Sequence, residues 1–301
     1  MAMARFLIIG ASGFIGQHLL RQLGPEQCLG TYAHTPFDGG IHFDPTLIDP
    51  DQFLDLYGHV EQIYLLMAVS SLITCANDPQ GSYAINVEAS KAIALWCKKH
   101  QIPLLFTSSD AVFGGQQGLY DEQHIPTPLV TYGKQKREVE VFLQAHLPHL
   151  HTTVRLSKTY SSNPQDKTLL SAWVRAWQQQ QPIMCATDQR FNPIHVEDAV
   201  VGMQQLMAGQ HRGLYHLCGP TPVDRYQLLL DLQECYEQQL GPLPSWQVKA
   251  CLINELGLAE TWPIDISTRI DKLLATIPLH PRTPQQGCQQ LIQAIVAERS
   301  C

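Results

Sequence analysis

The sequence contains no apolar run long enough for a signal-peptide core or a membrane span. After Arg5 the stretch Phe6-Leu7-Ile8-Ile9 ends at Gly10, far short of the roughly 20 residues that a spanning helix needs. Positive charge is not concentrated either. The longest basic stretch, Lys134 to Arg137, is interrupted by Gln135, and 20 Lys and Arg against 27 Asp and Glu leave a formal net charge of -7. A surface for nucleic acid or for an anionic membrane is therefore not expected. No C-x-x-C pair occurs among the nine cysteines, an odd number scattered from Cys28 to Cys301. This argues against a zinc site and predicts reduced thiols, most of them small core residues, in a cytoplasmic protein without a metal. His149 and His151 come nearest to a ligand pair, but they fall in a polar connection with no matching third ligand. Repeats are absent, and the short Gln178 to Gln181 run reads as a solvated helix end.

What is present is globular: 45% hydrophobic and 16% charged residues, in a length that fits one large α/β unit with a smaller appendage. Phe6 to Ile9 reads as a buried strand. Phe14, Ile15, Leu19, Leu20 and Leu23 then recur at helical spacing until Gly24-Pro25. Further strands are expected ending near Tyr32, over Ile41 to Phe43, Ile63 to Val69, Leu104 to Ser108 and Thr152 to Leu156. The spacing predicts helices over Ser82 to His100 and Tyr132 to Leu147. The run Ile63 to Val69 shows no polar alternation, as a parallel strand covered on both faces requires. This order implies an α/β fold, a doubly wound parallel sheet of the Rossmann type, with ligands bound beyond the carboxyl ends of its strands. Helices are expected later at Leu169 to Gln179, Glu197 to Met207, Tyr226 to Leu240 and Pro284 to Glu298. Residues 1–160 are accordingly read as a dinucleotide-binding domain. Residues 161–301 are read as a smaller substrate-binding lobe, interleaved with the last strands of the sheet.

Three constellations carry chemistry. Gly10-Ala11-Ser12-Gly13-Phe14-Ile15-Gly16 follows the first strand and opens the first helix, where a pyrophosphate finds a tight turn and unpaired N–H groups. The spacing is G-x-x-G-x-x-G, not the G-x-G-x-x-G of the dinucleotide fingerprint. Tyr132 and Lys136, at i and i+4, share a helix face. An ammonium there would draw down the pKa of a phenol, ordinarily about 10, toward useful acid–base strength. A half-buried tyrosine beside a solvated lysine would give the same spacing. Ser109, at the carboxyl end of a buried strand, can hydrogen-bond a substrate carbonyl or simply cap a turn.

Together with Asp110-Ala111-Val112-Phe113-Gly114-Gly115, Tyr120-Asp121-Glu122 and Tyr132-Gly133-x-x-Lys136, these motifs resemble the dTDP-4-dehydrorhamnose reductase branch of the extended short-chain dehydrogenase/reductases. Asn86-Val87, Arg155-x-Ser157-x-x-Tyr160, Asp188-Gln189-x-x-x-Pro193 and Gly213-Leu214-Tyr215-His216-Leu217 extend the likeness over nearly the whole chain. The resemblance implies an NAD(P)H-dependent ketoreductase acting on a nucleotide-linked deoxysugar or a similar polar carbonyl. In that reading Tyr132 is the general acid, Lys136 lowers its pKa and binds the nicotinamide ribose, Ser109 holds the carbonyl oxygen, and Asn86 positions a water in the proton relay. Cofactor contacts would come from Gly10, Ser12, Gly13, Phe14, Ile15, Gly16, His34, Asp44, Ala68, Tyr132 and Lys136. No carboxylate occurs from Leu29 to Phe37, which favours NADP and leaves NAD possible. Asp44 fits an adenine contact and a turn before Pro45 equally well.

Where the family's dehydratases carry an Asp-Glu pair, Asp110 is followed here by Ala111, which disfavours dehydration. Where its reductases usually carry Tyr and Trp, this chain has Ala111 and Lys158, so the substrate need not be dTDP-4-dehydrorhamnose. An ammonium at Lys158 would suit an anionic substrate, or simply be solvated. The resemblance also implies a homodimer through the helices around Ser82–His100 and Tyr132–Leu147. Two alternatives stay open: a cofactor-binding regulatory subunit resembling the beta subunit of methionine adenosyltransferase, and a nucleotide-sugar epimerase.

Overall fold

The computed structural model describes residues 4–244 and 248–299. The first half runs β1 (Phe6–Ile9), α1 (Phe14–Leu23), β2 (Cys28–Tyr32), β3 (Ile41–His42), α2 (Pro50–Tyr57), β4 (Gln62–Leu65), α3 (Leu72–Asn77), α4 (Pro79–Tyr83), α5 (Ser90–His100), β5 (Leu104–Ser109), α6 (Thr131–His146) and β6 (His151–Leu156). The second half adds β7 (Thr159–Tyr160), α7 (Leu169–Gln178), β8 (Ile183–Ala186), β9 (Arg190–Phe191), β10 (Ile194–His195), α8 (Val196–Ala208), β11 (Gly213–Leu217), β12 (Val223–Asp224), α9 (Arg225–Leu240), β13 (Val248–Cys251), α10 (Asp271–Thr276) and α11 (Pro284–Arg299).

Seven strands form one parallel sheet in the order β11-β6-β5-β4-β1-β2-β3. The strand order reverses between β1 and β4, so the crevice where such sheets take ligands opens beyond Ile9 and Leu65. All four residues of β1 are buried, because apolar cores lie on both faces. One packs α1 and α8 against the sheet through Leu19, Met203 and Leu206. The other packs α2, α5 and α6 through Phe53, Ile93 and Val139. A third core joins α7, α9 and α11 around Trp173, Leu232 and Leu291, and β11 returns the chain from this region to the sheet edge beside β6.

Several expectations shift. The fourth strand stops at Leu65 instead of reaching Val69, since Asn86 captures the Val69 backbone and turns the chain out of the sheet. The predicted helix over Ser82–His100 begins at Pro79 and contains a π turn, Ala84–Ala89. His151 is not in a connection: it opens β6, is buried, and its Nδ1 lies 3.0 Å from Thr153 Oγ1. Eight cysteines are free thiols; Cys301 lies outside the described residues. Among the described residues no helix is long and apolar enough to cross a membrane.

Candidate active site

The glycine turn is held from β2. Thr31 Oγ1 accepts from Gly10 N at 2.9 Å, and the Thr31 carbonyl accepts from Ser12 N at 3.2 Å. Gly10 sits at φ +94°, and a Cβ there would stand 2.8 Å from Met67 N, so only glycine fits without strain. A Cβ on Gly16 would stand 2.3 Å from Gly10 O. That closeness brings the start of α1 against the turn. No side chain caps α1, and its first turn carries no acidic residue. Its leading amides therefore remain available to an anion in front of Gly13, which is exposed.

These residues form one wall of a cleft of about 570 Å³, within the roughly 300–1,000 Å³ usual for ligand sites. Ser109, Tyr132 and Lys136 line its opposite wall. Ser109 closes β5; its Oγ donates to Asp110 Oδ1 at 3.0 Å and accepts from Ala111 N at 3.1 Å. Tyr132 and Lys136 occupy the first two turns of α6, whose opening residue is anchored from afar. Glu260 accepts from Thr131 N at 2.9 Å and from Thr131 Oγ1 at 2.7 Å. Trp262 and Pro263, just beyond, also line the cleft.

The electrostatics correct one expectation. Lys136 is 1% exposed, so burial first of all lowers its pKa, to about 7. Its Nζ lies 4.7 Å from the Phe106 ring centroid and 5.6 Å from that of Tyr132. The Tyr132 phenol is not drawn down: burial, then the Asp110 and Cys75 charges, push it up. The resting pair is thus a neutral phenol beside a weakened ammonium, which is the proton-donating form. Among the described residues neither Tyr132 Oη nor Lys136 Nζ has a hydrogen-bond partner. Burial likewise raises the Asp110 carboxyl to about 6, against the opposing influence of the nearby Ser157 and of the Ser109 hydrogen bond.

Asn86 does not line the cleft. Its Oδ1 accepts from Val69 N at 2.8 Å, and its Nδ2 donates to Val69 O at 3.0 Å and to Gln135 Oε1 at 2.7 Å. The amide is consumed in fixing the loop after β4, which carries Ala68 into the cleft wall. Gly10, Gly13, Phe14, Ile15, Gly16, Ala68, Tyr132 and Lys136 line the cleft, whereas Ser12, His34 and Asp44 do not. His34 is exposed beyond β2. Asp44 Oδ1 accepts from Thr46 N and Oγ1, at 2.9 and 2.7 Å, as a turn residue does. Sequence reasoning missed Thr31, Arg225 and Trp262. No local motif marks them, and only the fold brings them to the site.

A family model described as the RmlD substrate binding domain matches residues 4–295. A dTDP-4-dehydrorhamnose reductase from Sinorhizobium fredii is 22% identical over 98% of this chain and 98% of its own. An ADP-L-glycero-D-manno-heptose-6-epimerase from Alkalilimnicola ehrlichii is 27% identical over 58% of this chain; the match spans 59% of that epimerase. The crystal structure of a dTDP-4-dehydrorhamnose reductase from Bacillus anthracis in complex with NADP superposes with a TM-score of 0.81. It is 21% identical and covers 96% of this chain and 99% of that one.

Proposed function

Because the chain belongs to the RmlD substrate binding domain family, we propose that it reduces a carbonyl on a nucleotide-linked sugar at the expense of NADPH, with NADH as a possible substitute. One observation carries the reading: the glycine turn, Ser109, Tyr132 and Lys136 face a single cleft at the switch point of the sheet.

The residues present fit the cofactor. The uncapped start of α1 and the space in front of Gly13 suit a pyrophosphate. Lys136, a buried residue that lines the cleft and whose Nζ has no hydrogen-bond partner among the described residues, suits a ribose hydroxyl. When bound, the reduced nicotinamide supplies hydride. Ser109 orients the carbonyl oxygen once its hydroxyl proton turns from Asp110 to the substrate, and Tyr132, protonated at rest, gives that oxygen its proton. We further propose residues 161–301 as the substrate lobe, with α7, α9 and α11 as its core. The same resemblance supports a homodimer through α5 and α6, where Leu95 and Val141 are exposed. Free thiols suit a reducing compartment, and we assign the enzyme to the cytoplasm.

The test is consumption of NADPH on addition of nucleotide-linked oxo-sugars, dTDP-4-dehydrorhamnose among them. Sugar-dependent oxidation supports the reductase. Tight NADPH binding with no turnover across the panel would overturn it in favour of a regulatory subunit, and sugar isomerisation without net oxidation in favour of an epimerase.

A further inference from the structure

The cleft holds more positive charge than this reaction uses. Besides Lys136 it is lined by Lys158, two residues beyond the end of β6, and by Arg225, the first residue of α9. Arg225 is held in place. Its Nη1 donates to Gln189 Oε1 at 2.9 Å, its backbone N donates to Gln189 O at 2.8 Å, and its guanidinium lies 5.9 Å from the Trp173 ring centroid. Gln189 itself is 5% exposed. Yet Arg225 Nε is buried with no hydrogen-bond partner. Among the described residues neither Arg225 nor Lys158 has an ion-pair partner.

The two cations feel each other. Lys158 is exposed and lines the cleft; the surrounding protein lowers its pKa, and the Arg225 charge lowers it further. Asp110, the one carboxyl among the described cleft-lining residues, opposes that shift. Its Oδ1 already accepts from Ser109, and Asp110 lies beyond ion-pair distance of Lys158. Two cations without an ion-pair partner, lining one cleft, leave a seat for a ligand that supplies negative charge.

We infer that the substrate carries a carboxylate on its sugar ring, held by Lys158 and Arg225 and oriented by the guanidinium that Gln189 fixes. The inference rests on the nucleotide-sugar reading and narrows its substrate class. Position separates a ring substituent from the nucleotide diphosphate. Leu156 pairs with Ser109 across β5 and β6, and Lys158 follows it by two residues, so Lys158 enters the cleft from the strand end that neighbours the serine. A planar guanidinium fork matches a carboxylate in both shape and charge.

The test is calorimetric titration of the NADP-saturated protein with UDP-glucuronate against UDP-glucose, and GDP-mannuronate against GDP-mannose. Each pair shares its nucleotide and diphosphate and differs by one carboxylate. We expect the acid of at least one pair to bind about 10-fold more tightly than its neutral partner, the scale of a charged hydrogen bond. Lys158→Met, which removes no hydrogen bond within the protein, collapses that ratio toward one, and Arg225→Gln does the same. Equal affinities within both pairs overturn the carboxylate and leave the nucleotide-sugar reading standing. So does a ratio that persists in Lys158→Met while both affinities fall, which would assign the cations to the diphosphate. Binding of none of the four overturns the inference together with the reading beneath it.

Discussion

Glu140 and Arg155 meet as a two-pronged pair, Nε to Oε1 at 2.9 Å and Nη2 to Oε2 at 2.8 Å, with both side chains almost wholly buried. The same Oε1 accepts from Ser108 Oγ at 2.6 Å, and Arg137 adds a contact to Oε2 at 3.0 Å. Glu140 lies one turn beyond Lys136 on α6, while Ser108 precedes Ser109 on β5. The pair therefore ties the helix bearing the phenol and the ammonium to the strand bearing the serine. Breaking it from one side leaves a buried charge without its partner. We expect Arg155→Met to cost about 3–5 kcal/mol in denaturant unfolding. Adding Glu140→Leu should recover part of that loss, and a double variant no more stable than the single one would contradict the account.

Removing the phenolic hydroxyl should separate chemistry from binding. Tyr132→Phe is expected to lower turnover about 100-fold or more, the scale of a lost general acid. Cofactor affinity should stay within a few-fold. Turnover equal to that of the parent enzyme would remove Tyr132 from its role.

Lys136 should make cofactor binding sensitive to pH. Burial holds its folded pKa near 7, below the ordinary 10.5, so the ammonium prevails below about 7 and is lost as pH rises through that value. NADPH affinity measured by fluorescence should decline over that interval, and Lys136→Met should bind more weakly with a flat profile. A wild-type profile as flat as the variant's would show that the ammonium does not contribute.

The glycine turn tolerates no methyl at its tightest point. Gly16→Ala would set a Cβ 2.3 Å from Gly10 O, whereas one on Gly39, at φ +73°, strains only its own exposed turn and meets nothing within 4 Å. Gly16→Ala should weaken NADPH binding by about 10-fold or more, as expected when a backbone anion site is displaced. Gly39→Ala is the control, and equal behaviour of the two would argue against the turn as the cofactor seat.

Acid should destabilise the fold through its buried histidines before the carboxylates of lowered pKa, such as Glu140, titrate. His216 is held at about 3, and His151 and His195 at about 4, burial being the leading cause in each. Because their folded pKa values are depressed, the stability they contribute is present above about 6.5 and is lost as pH falls toward 4. Thermal unfolding temperature should drop across that window. A constant value from 6.5 down to 5 would show that these imidazoles are protonated without cost.

Local pattern made much of this legible. The strand, turn and helix around Gly10–Gly16, the parallel order of the first six strands and the helix carrying Tyr132 all follow from runs and spacings a few residues long. What could not be read depends on distant contacts. The i,i+4 spacing of Tyr132 and Lys136 gives their shared face but not their depth, and depth reverses the expected shift of the phenol. Asn86 is named as a site residue through the resemblance, and its bonds to Val69 join elements that no local pattern connects. Val69 read as strand because a backbone captured by a side chain leaves no mark in an apolar run. Arg225 looked like any helix-start residue until the fold set it over Trp173.

Glu260 has a bearing on how the protein comes into being. The acceptor that anchors the opening amide of the phenol's helix lies 129 positions further along the chain. A growing polypeptide can complete its glycine turn from the early strands, yet the helix that carries Tyr132 lacks this brace until that late glutamate has been made and folded back. The two walls of the cleft are thus finished at different times.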